Sequence, residues 1–200
     1  MTTGWALALL LAAPGASAMA TATARPTIAI APVGAVSAER LRPILPMVES
    51  AFGATVVVVD PIALPEGALE PRRGQYLSTA ILDALAPLRR REWDRLLGVA
   101  DVDLYVPDLN FVFGEADARR GVAVFSLSRL RAGAGGDGEA LLLRRAATEA
   151  IHELGHTYGL GHCRDPRCVM WFSNTLAESD RKGMAFCPAH AAQLAAALAR

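Results

Sequence analysis

Three of the four histidines in this chain of 200 residues stand together, and two of its three cysteines follow at once. The stretch reads Glu149-Ala-Ile-His152-Glu153-Leu-Gly-His156-Thr-Tyr-Gly159-Leu-Gly-His162-Cys163-Arg-Asp-Pro-Arg-Cys168-Val-Met170. Imidazole and thiolate are the side chains that bind zinc best, so the concentration points to a metal, and to zinc first.

Spacing says how these groups can meet. Residues 139–158 read as one long helix, with Leu142, Ala146, Ala150 and Leu154 on or near its buried side. His152 and His156 are one helical turn apart and project from nearly the same side, so both can reach one ion at about 2.0–2.1 Å. Gly159 can take the left-handed conformation that ends a helix, letting the chain turn back and bring His162 in as a third ligand. Three neutral nitrogen ligands leave a fourth position open, as a catalytic site requires and a structural site does not. A zinc there would polarise a scissile carbonyl and acidify water. Glu153, next to the first ligand, is placed to take the proton of the attacking water and to deliver it to the leaving amine.

The elements that must hold this helix are legible in outline. Thr27 to Pro32 fits a buried first strand, and Ala54 to Asp60, β-branched almost throughout, is the strongest strand in the chain. Between them Leu41, Ile44, Leu45, Val48 and Phe52 mark a helix that Pro43 and Pro46 disturb at its start and Gly53 closes. Strand, helix, strand implies a crossover and a parallel pair, hence an α/β arrangement. Residues 62–70 read as a loop and 75–91 as a second helix that Pro87 kinks or ends; 96–100 and 103–106 read as strands. Residues 122–130 alternate as a half-exposed edge strand would, and the glycine-rich residues 133–138 read as a flexible loop. Asp101, Asp103 and Asp108 lack the spacing of a calcium loop and read as turn carboxylates. Arg72, Arg73, Arg181 and Lys182 could meet substrate carboxylates, although solvent is the default place for such charges.

Composition narrows the function further. Twenty lysines and arginines balance twenty aspartates and glutamates, so there is no basic footprint for nucleic acid or for an anionic membrane face. Residues 1–20 resemble a secretory leader: an apolar run from Trp5 to Ala13, then Ala16-Ser17-Ala18 as a cleavage site, though without a basic start. The expectation is an exported, periplasmic or secreted protein without a membrane span once the leader is removed, and a cytoplasmic one if the leader is not a signal. Residues 21–200 are then expected to be a single domain and a monomer. Three cysteines are an odd number for disulfides, and a zinc site using all three would remove the remainder.

The full pattern, HExxHxxGxxH with a methionine downstream, resembles the metzincin signature. With Cys163, Cys168, Met170 and the closing Cys187-Pro-Ala-His190, the chain resembles the archaemetzincins, or archaelysins, and so do Arg72 to Tyr76, Asp101 to Gly114, Trp171 to Asn174 and Asp180 to Gly183. The resemblance implies a zinc metallopeptidase of metzincin-like zincin fold. Such a fold is a twisted mixed β-sheet carrying helices, among them the active-site helix, with a small zinc-bound C-terminal part. It implies Met170 in a turn beneath the imidazoles, and two zincs: one catalytic on His152, His156 and His162, one structural. It also implies an extended peptide lying antiparallel to an edge strand, for which residues 122–130 are the candidate.

This chain departs from the family where a final cysteine is expected and His190 stands instead. Histidine can complete a Cys3His site, giving Cys163, Cys168, Cys187 and His190 as the structural ligands. The alternative is a surface histidine and a Cys163–Cys168 or other disulfide. Phe172 occupies the position where some metzincins place a tyrosine, and it can neither ligate nor donate. Two rival functions stay open: an exported, zinc-stabilised binding module that is not used as a peptidase, and a zinc hydrolase acting on a non-peptide amide.

Overall fold

A computed structural model describes Met1, residues 25–133 and residues 138–199. Apart from Met1, the expected leader lies outside the described residues, as does most of the glycine-rich loop.

The chain builds a five-stranded sheet in the order β2-β1-β5-β8-β7, from β1 (Thr27–Pro32), β2 (Thr55–Val58), β5 (Arg95–Ala100), β7 (Gly114–Asp117) and β8 (Val122–Ser126). The first four run parallel and β7 returns antiparallel along β8. The expected crossover between β1 and β2 is present. The proline-disturbed helix is split into α1 (Ala38–Leu41), a 3-10 turn, and α2 (Leu45–Phe52), and Gly53 caps it with φ of 59°. Proline explains the break: it removes an amide donor and its ring crowds the preceding turn.

Helices cover both faces of the sheet, and the strands sort their residues by alternation. Ile28, Ile30, Ala123 and Phe125 point into a core shared with α2 and α4 (Gly138–Thr157). Ala29, Ala31, Val122 and Val124 point into a second core against α3 (Ser78–Leu85). This corrects the expectation for residues 122–130. β8 is buried at every position, ends at Ser126, and is followed by a 3-10 turn. Its residues alternate between two different cores rather than between core and solvent. The edge beside β8 belongs to β7, whose sequence Gly-Glu-Ala-Asp carries none of the β-branched or aromatic residues that mark a strand.

A smaller sheet, β3 (Leu69–Glu70), β4 (Gln75–Leu77) and β6 (Leu104–Tyr105), flanks this edge. Residues 75–77, expected to open the second helix, are instead strand β4, and α3 starts only at Ser78. Arg73 does not wait in solvent for substrate. Its guanidinium donates to the carbonyls of Leu109 and Asn110, and the Gln75 amide donates to Asn110 as well. Together they hold the segment that leads into β7. Asp101 and Asp103 are strand-end carboxylates paired with Arg131 and Arg129.

The 20-residue helix α4 is the scaffold for everything that follows. It spans about 30 Å and packs beneath β7 and β8. Two short helices come after it, α5 (Leu176–Arg181) and α6 (Pro188–Leu198). α5 is set by a capping box in which Thr175 and Glu178 satisfy each other's backbone amides, and α4 clamps it. Arg145, almost fully buried, makes a two-pronged pair with Asp180 at 2.6 and 2.7 Å and also donates to the carbonyls of Leu130 and Ala132. No helix among the described residues is long and apolar enough to cross a membrane.

Candidate metal centre

The end of α4 is a Schellman motif, formed because Gly159 can adopt a φ of 82°. Leu160 N–H donates to Gly155 and Gly159 N–H to His156, closing the last carbonyls of the helix. The turn aims the Leu160 carbonyl back at His156, whose Nδ1 lies 2.7 Å away. His152 Nδ1 lies 2.7 Å from the Val169 carbonyl, on the segment between Cys168 and Met170. With both Nδ1 atoms so engaged, the two Nε2 atoms face each other at 3.1 Å. Two bonds of about 2.05 Å at a tetrahedral angle would separate them by about 3.3 Å. His162 completes the group, its ring centroid 5.5 Å from that of His152 and 4.8 Å from that of His156. One ring nitrogen from each of the three lies within 4.8 Å of the others.

Electrostatics keeps these rings neutral, the form that ligates. Burial and the nearby Lys182 charge hold His152 well below its ordinary value; burial also lowers His156 and His162. Glu153, 5 % exposed, moves the other way: burial pushes its carboxyl well above the ordinary range, the Glu149 charge adds to the rise, and Lys182 opposes it.

Two glycines make this packing possible. A Cβ at Gly155 would lie 2.5 Å from Met170 Sδ, so a larger residue there would displace Met170 from its seat beside the helix. A Cβ at Gly114 would lie 2.6 Å from Glu153 Cγ and 2.6 Å from the Val124 carbonyl oxygen, so strand β7 passes over Glu153 too closely for a side chain there. The gap between them is a cleft. Phe111, Phe113 and Glu115 line its β7 side; Phe172 and Asn174 line the other, with the histidines and Glu153 at the bottom. Phe172 stands 4.8 Å from the His162 ring, an apolar wall where a tyrosine would have brought a hydroxyl.

The second group is assembled from loops. Cys163, Cys168, Cys187 and His190 each place a donor atom within 4.8 Å of the others, and all three cysteines are free. Cys163 Sγ is 3.9 Å from Cys187 Sγ, and His190 Nδ1 is 3.2 Å from Cys187 Sγ and 3.9 Å from Cys168 Sγ. A tetrahedral zinc with sulfur at about 2.3 Å would set such atoms about 3.5–3.8 Å apart, so the four fit one ion. The His190 amide and imidazole hold Cys187 down to about 6, the thiolate form, while burial pushes Cys168 up to about 11. A bound cation would deprotonate the buried thiol outright. His190 is not a surface residue of α6; it is 9 % exposed.

The structure therefore brings together the residues that the sequence singled out as metal ligands, three histidines in one group and three cysteines with His190 in the other, and sets Glu153 and Met170 beside the histidines. It adds a neighbour that sequence reasoning placed in solvent. Lys182 is 1 % exposed, its ammonium 3.1 Å from Glu149 Oε1, which also accepts from Ser179 Oγ at 2.8 Å. Both members of this buried pair line the cleft. Helix periodicity could have flagged Glu149, one turn before Glu153; nothing near Lys182 in the sequence announces a buried partner 33 residues away in α4. Glu115 was missed as well. It is fixed at the cleft wall by Ser78 Oγ at 2.5 Å and Thr79 Oγ1 at 3.0 Å.

Residues 48–196 match the family model described as peptidase family M54. The archaemetzincin of Pyrococcus furiosus is 40% identical over 172 residues, 82% of this chain and 89% of that protein. That of Methanopyrus kandleri is 52% identical over 124 residues, 62% of this chain and 68% of its own length. The crystal structure of the M. kandleri protein superposes with a TM-score of 0.78 at 38% identity, covering 88% of this chain and 97% of that one. A zinc-dependent peptidase from Methanocorpusculum labreanum gives 0.75 at 30% identity, covering 84% and 99%.

Proposed function

The chain belongs to peptidase family M54, the family of the archaemetzincins, and is a zinc metallopeptidase; from that premise we propose which residues carry the reaction and how. His152, His156 and His162 hold the catalytic zinc through Nε2 of the two helical histidines and a nitrogen of the third. The observation that carries this is the facing Nε2 pair at 3.1 Å, with each Nδ1 engaged by a carbonyl. Those carbonyls fix the tautomer and aim the rings. The bound zinc supplies Lewis acidity toward the scissile carbonyl and toward water.

Glu153 is the general base and then the general acid. Its carboxyl lies next to His152 at the bottom of the cleft, and its place under β7 lets one group take the proton from water and pass it to the leaving amine. The substrate is a peptide or protein segment lying along the free edge of β7, residues 114–117, which lines the cleft. An extended chain pairing there as an added antiparallel strand is held by backbone hydrogen bonds over Glu153. The apolar rings Phe111, Phe113 and Phe172 keep water from the flanks of the bound segment.

Cys163, Cys168, Cys187 and His190 hold a second, structural zinc, with no position left open. Support comes from the donor set itself: two soft thiols near 3.9 Å, a third sulfur, and an imidazole nitrogen on one centre. The test is digestion of a peptide library by the zinc-loaded protein and by Glu153→Ala, with zinc counted in both. Cleavage by the first alone, at equal zinc content, is the expected result; retained cleavage by the variant overturns the role of Glu153.

A further inference from the structure

The fourth ligand of the sulfur-rich group differs from the other three in having two donor positions. His190 sits in the first turn of α6, a helix locked by Pro188 at its start and by the buried Leu194. Its Nδ1 faces Cys187 and Cys168. Its Nε2 lies on the opposite side of the ring, 3.1 Å from the carbonyl oxygen of Gly161. Gly161 is the residue immediately before His162.

The three histidines of the first site are not equally secured. His152 and His156 ride on α4, and each has a carbonyl fixing its ring. His162 is exposed, lies beyond the end of the helix, and follows the sequence Gly159-Leu160-Gly161, in which two glycines allow the backbone wide freedom. The peptide that carries His162 is therefore the part of the site with most conformational entropy to lose when a metal binds.

We propose that His190 is a positioning residue that joins the two metal sites, binding the structural zinc through Nδ1 while its Nε2–H donates to the Gly161 carbonyl and fixes the peptide that presents His162. The inference rests on reading the Cys3His group as a zinc site. It explains what the histidine does that a cysteine could not: a thiolate has one donor atom, spends it on the metal, and leaves the Gly161 carbonyl without that partner. Coordination at Nδ1 also dictates the tautomer, since the remaining ring proton must then sit on Nε2. The adjoining contacts share the load from the other side, with Cys163 N–H donating to Met170 and Val169 presenting its carbonyl to His152. Losses of an outer partner to a metal-binding group commonly weaken the metal about 10–100-fold.

His190→Cys is the discriminating variant, because it restores four sulfur ligands and removes the Nε2 donor. Three measurements are made on the zinc-loaded wild type and on the variant: zinc per chain, alkylation of cysteines by iodoacetamide as reporter of the sulfur site, and zinc affinity of the histidine site by chelator competition. The expected result is two zincs and protected cysteines in both proteins, with the histidine site about tenfold weaker in the variant. Equal affinity in the two overturns the tether while leaving both zinc sites standing. Nitrogen-15 NMR of the wild-type imidazoles provides a test that needs no variant. His190 should show a metal-bound Nδ1 and a protonated Nε2 whose hydrogen exchanges slowly; a metal-bound Nε2 overturns the proposal. One zinc per chain with freely alkylated cysteines would instead remove the structural site, and the inference with it.

Discussion

The two clusters in this molecule are built with very different amounts of help from secondary structure. The histidine cluster takes two of its three members, and Glu153, from consecutive turns of one 20-residue helix, so their spacing is fixed by hydrogen bonds made within the helix. The sulfur cluster takes its four members from two loops and the first turn of α6, between residues 163 and 190, where little regular structure precedes the site. The first is spaced by secondary structure; the second is gathered by contacts between segments, with only His190 on a helix. Their meeting point is one peptide bond, between His162 and Cys163, so the loosely built site supports the weakest member of the rigid one.

The largest expected effect probes the rigid side. Glu153→Ala should lower kcat/KM by about 10²–10⁴-fold if the carboxyl acts only in proton transfer, with zinc content and thermal stability unchanged; a drop in zinc content would show that α4 does not preorganise the histidines independently of Glu153. Next is the buried pair beside it. Lys182→Met leaves the Glu149 charge uncompensated and should cost about 3–5 kcal/mol of stability, read by chemical denaturation. Lys182→Met combined with Glu149→Leu should recover most of that loss, and a double variant no better than the single one would show that the two residues do not act as a pair.

A change on the loop side should cross over to the helix side. Cys163→Ser should weaken the histidine-site zinc about tenfold or more besides lowering stability, and chelator competition reads it directly; unaltered histidine-site affinity would separate the two clusters. The smallest effect concerns the clamp that carries α5. The Arg145 guanidinium holds Asp180 below the usual carboxylate range. Because the folded value is depressed, this contribution is complete above the unfolded value of about 3.9 and is lost as pH falls through the folded one. Asp180→Asn should therefore be less stable than the parent by about 1–2 kcal/mol at neutral pH, discounted for the partly exposed carboxylate. The gap should close in denaturation curves taken below about pH 4; a gap that persists there would assign the loss to packing.

Much of the first cluster was legible because helix geometry converts spacing into position. His152, Glu153, His156 and Gly159 occupy places that follow from their numbers once α4 is granted, and the β1–α2–β2 crossover follows from alternating hydrophobic patterns in the same way. The strand along which a peptide is proposed to lie was not legible. Gly114 to Asp117 carries no β-branched or aromatic residue to mark it, and it becomes a strand because β8 offers it a partner and Gly114 lets it pass close over Glu153. Residues 122–130 read as a half-exposed edge because their pattern alternates, but the strand ends at Ser126 and both of its faces are covered.

The sequence by itself determined the ligand types, their order along the chain and the helix that spaces two of them, since these depend on covalent order and on a local 3.6-residue repeat. Only the tertiary structure decided which groups stand beside that helix. The burial of Lys182 against Glu149, the passage of β7 over Glu153, and the contact of His190 with the peptide before His162 all join residues distant along the chain. No local preference encodes such contacts, because they are set by how helices and sheet close around two cores.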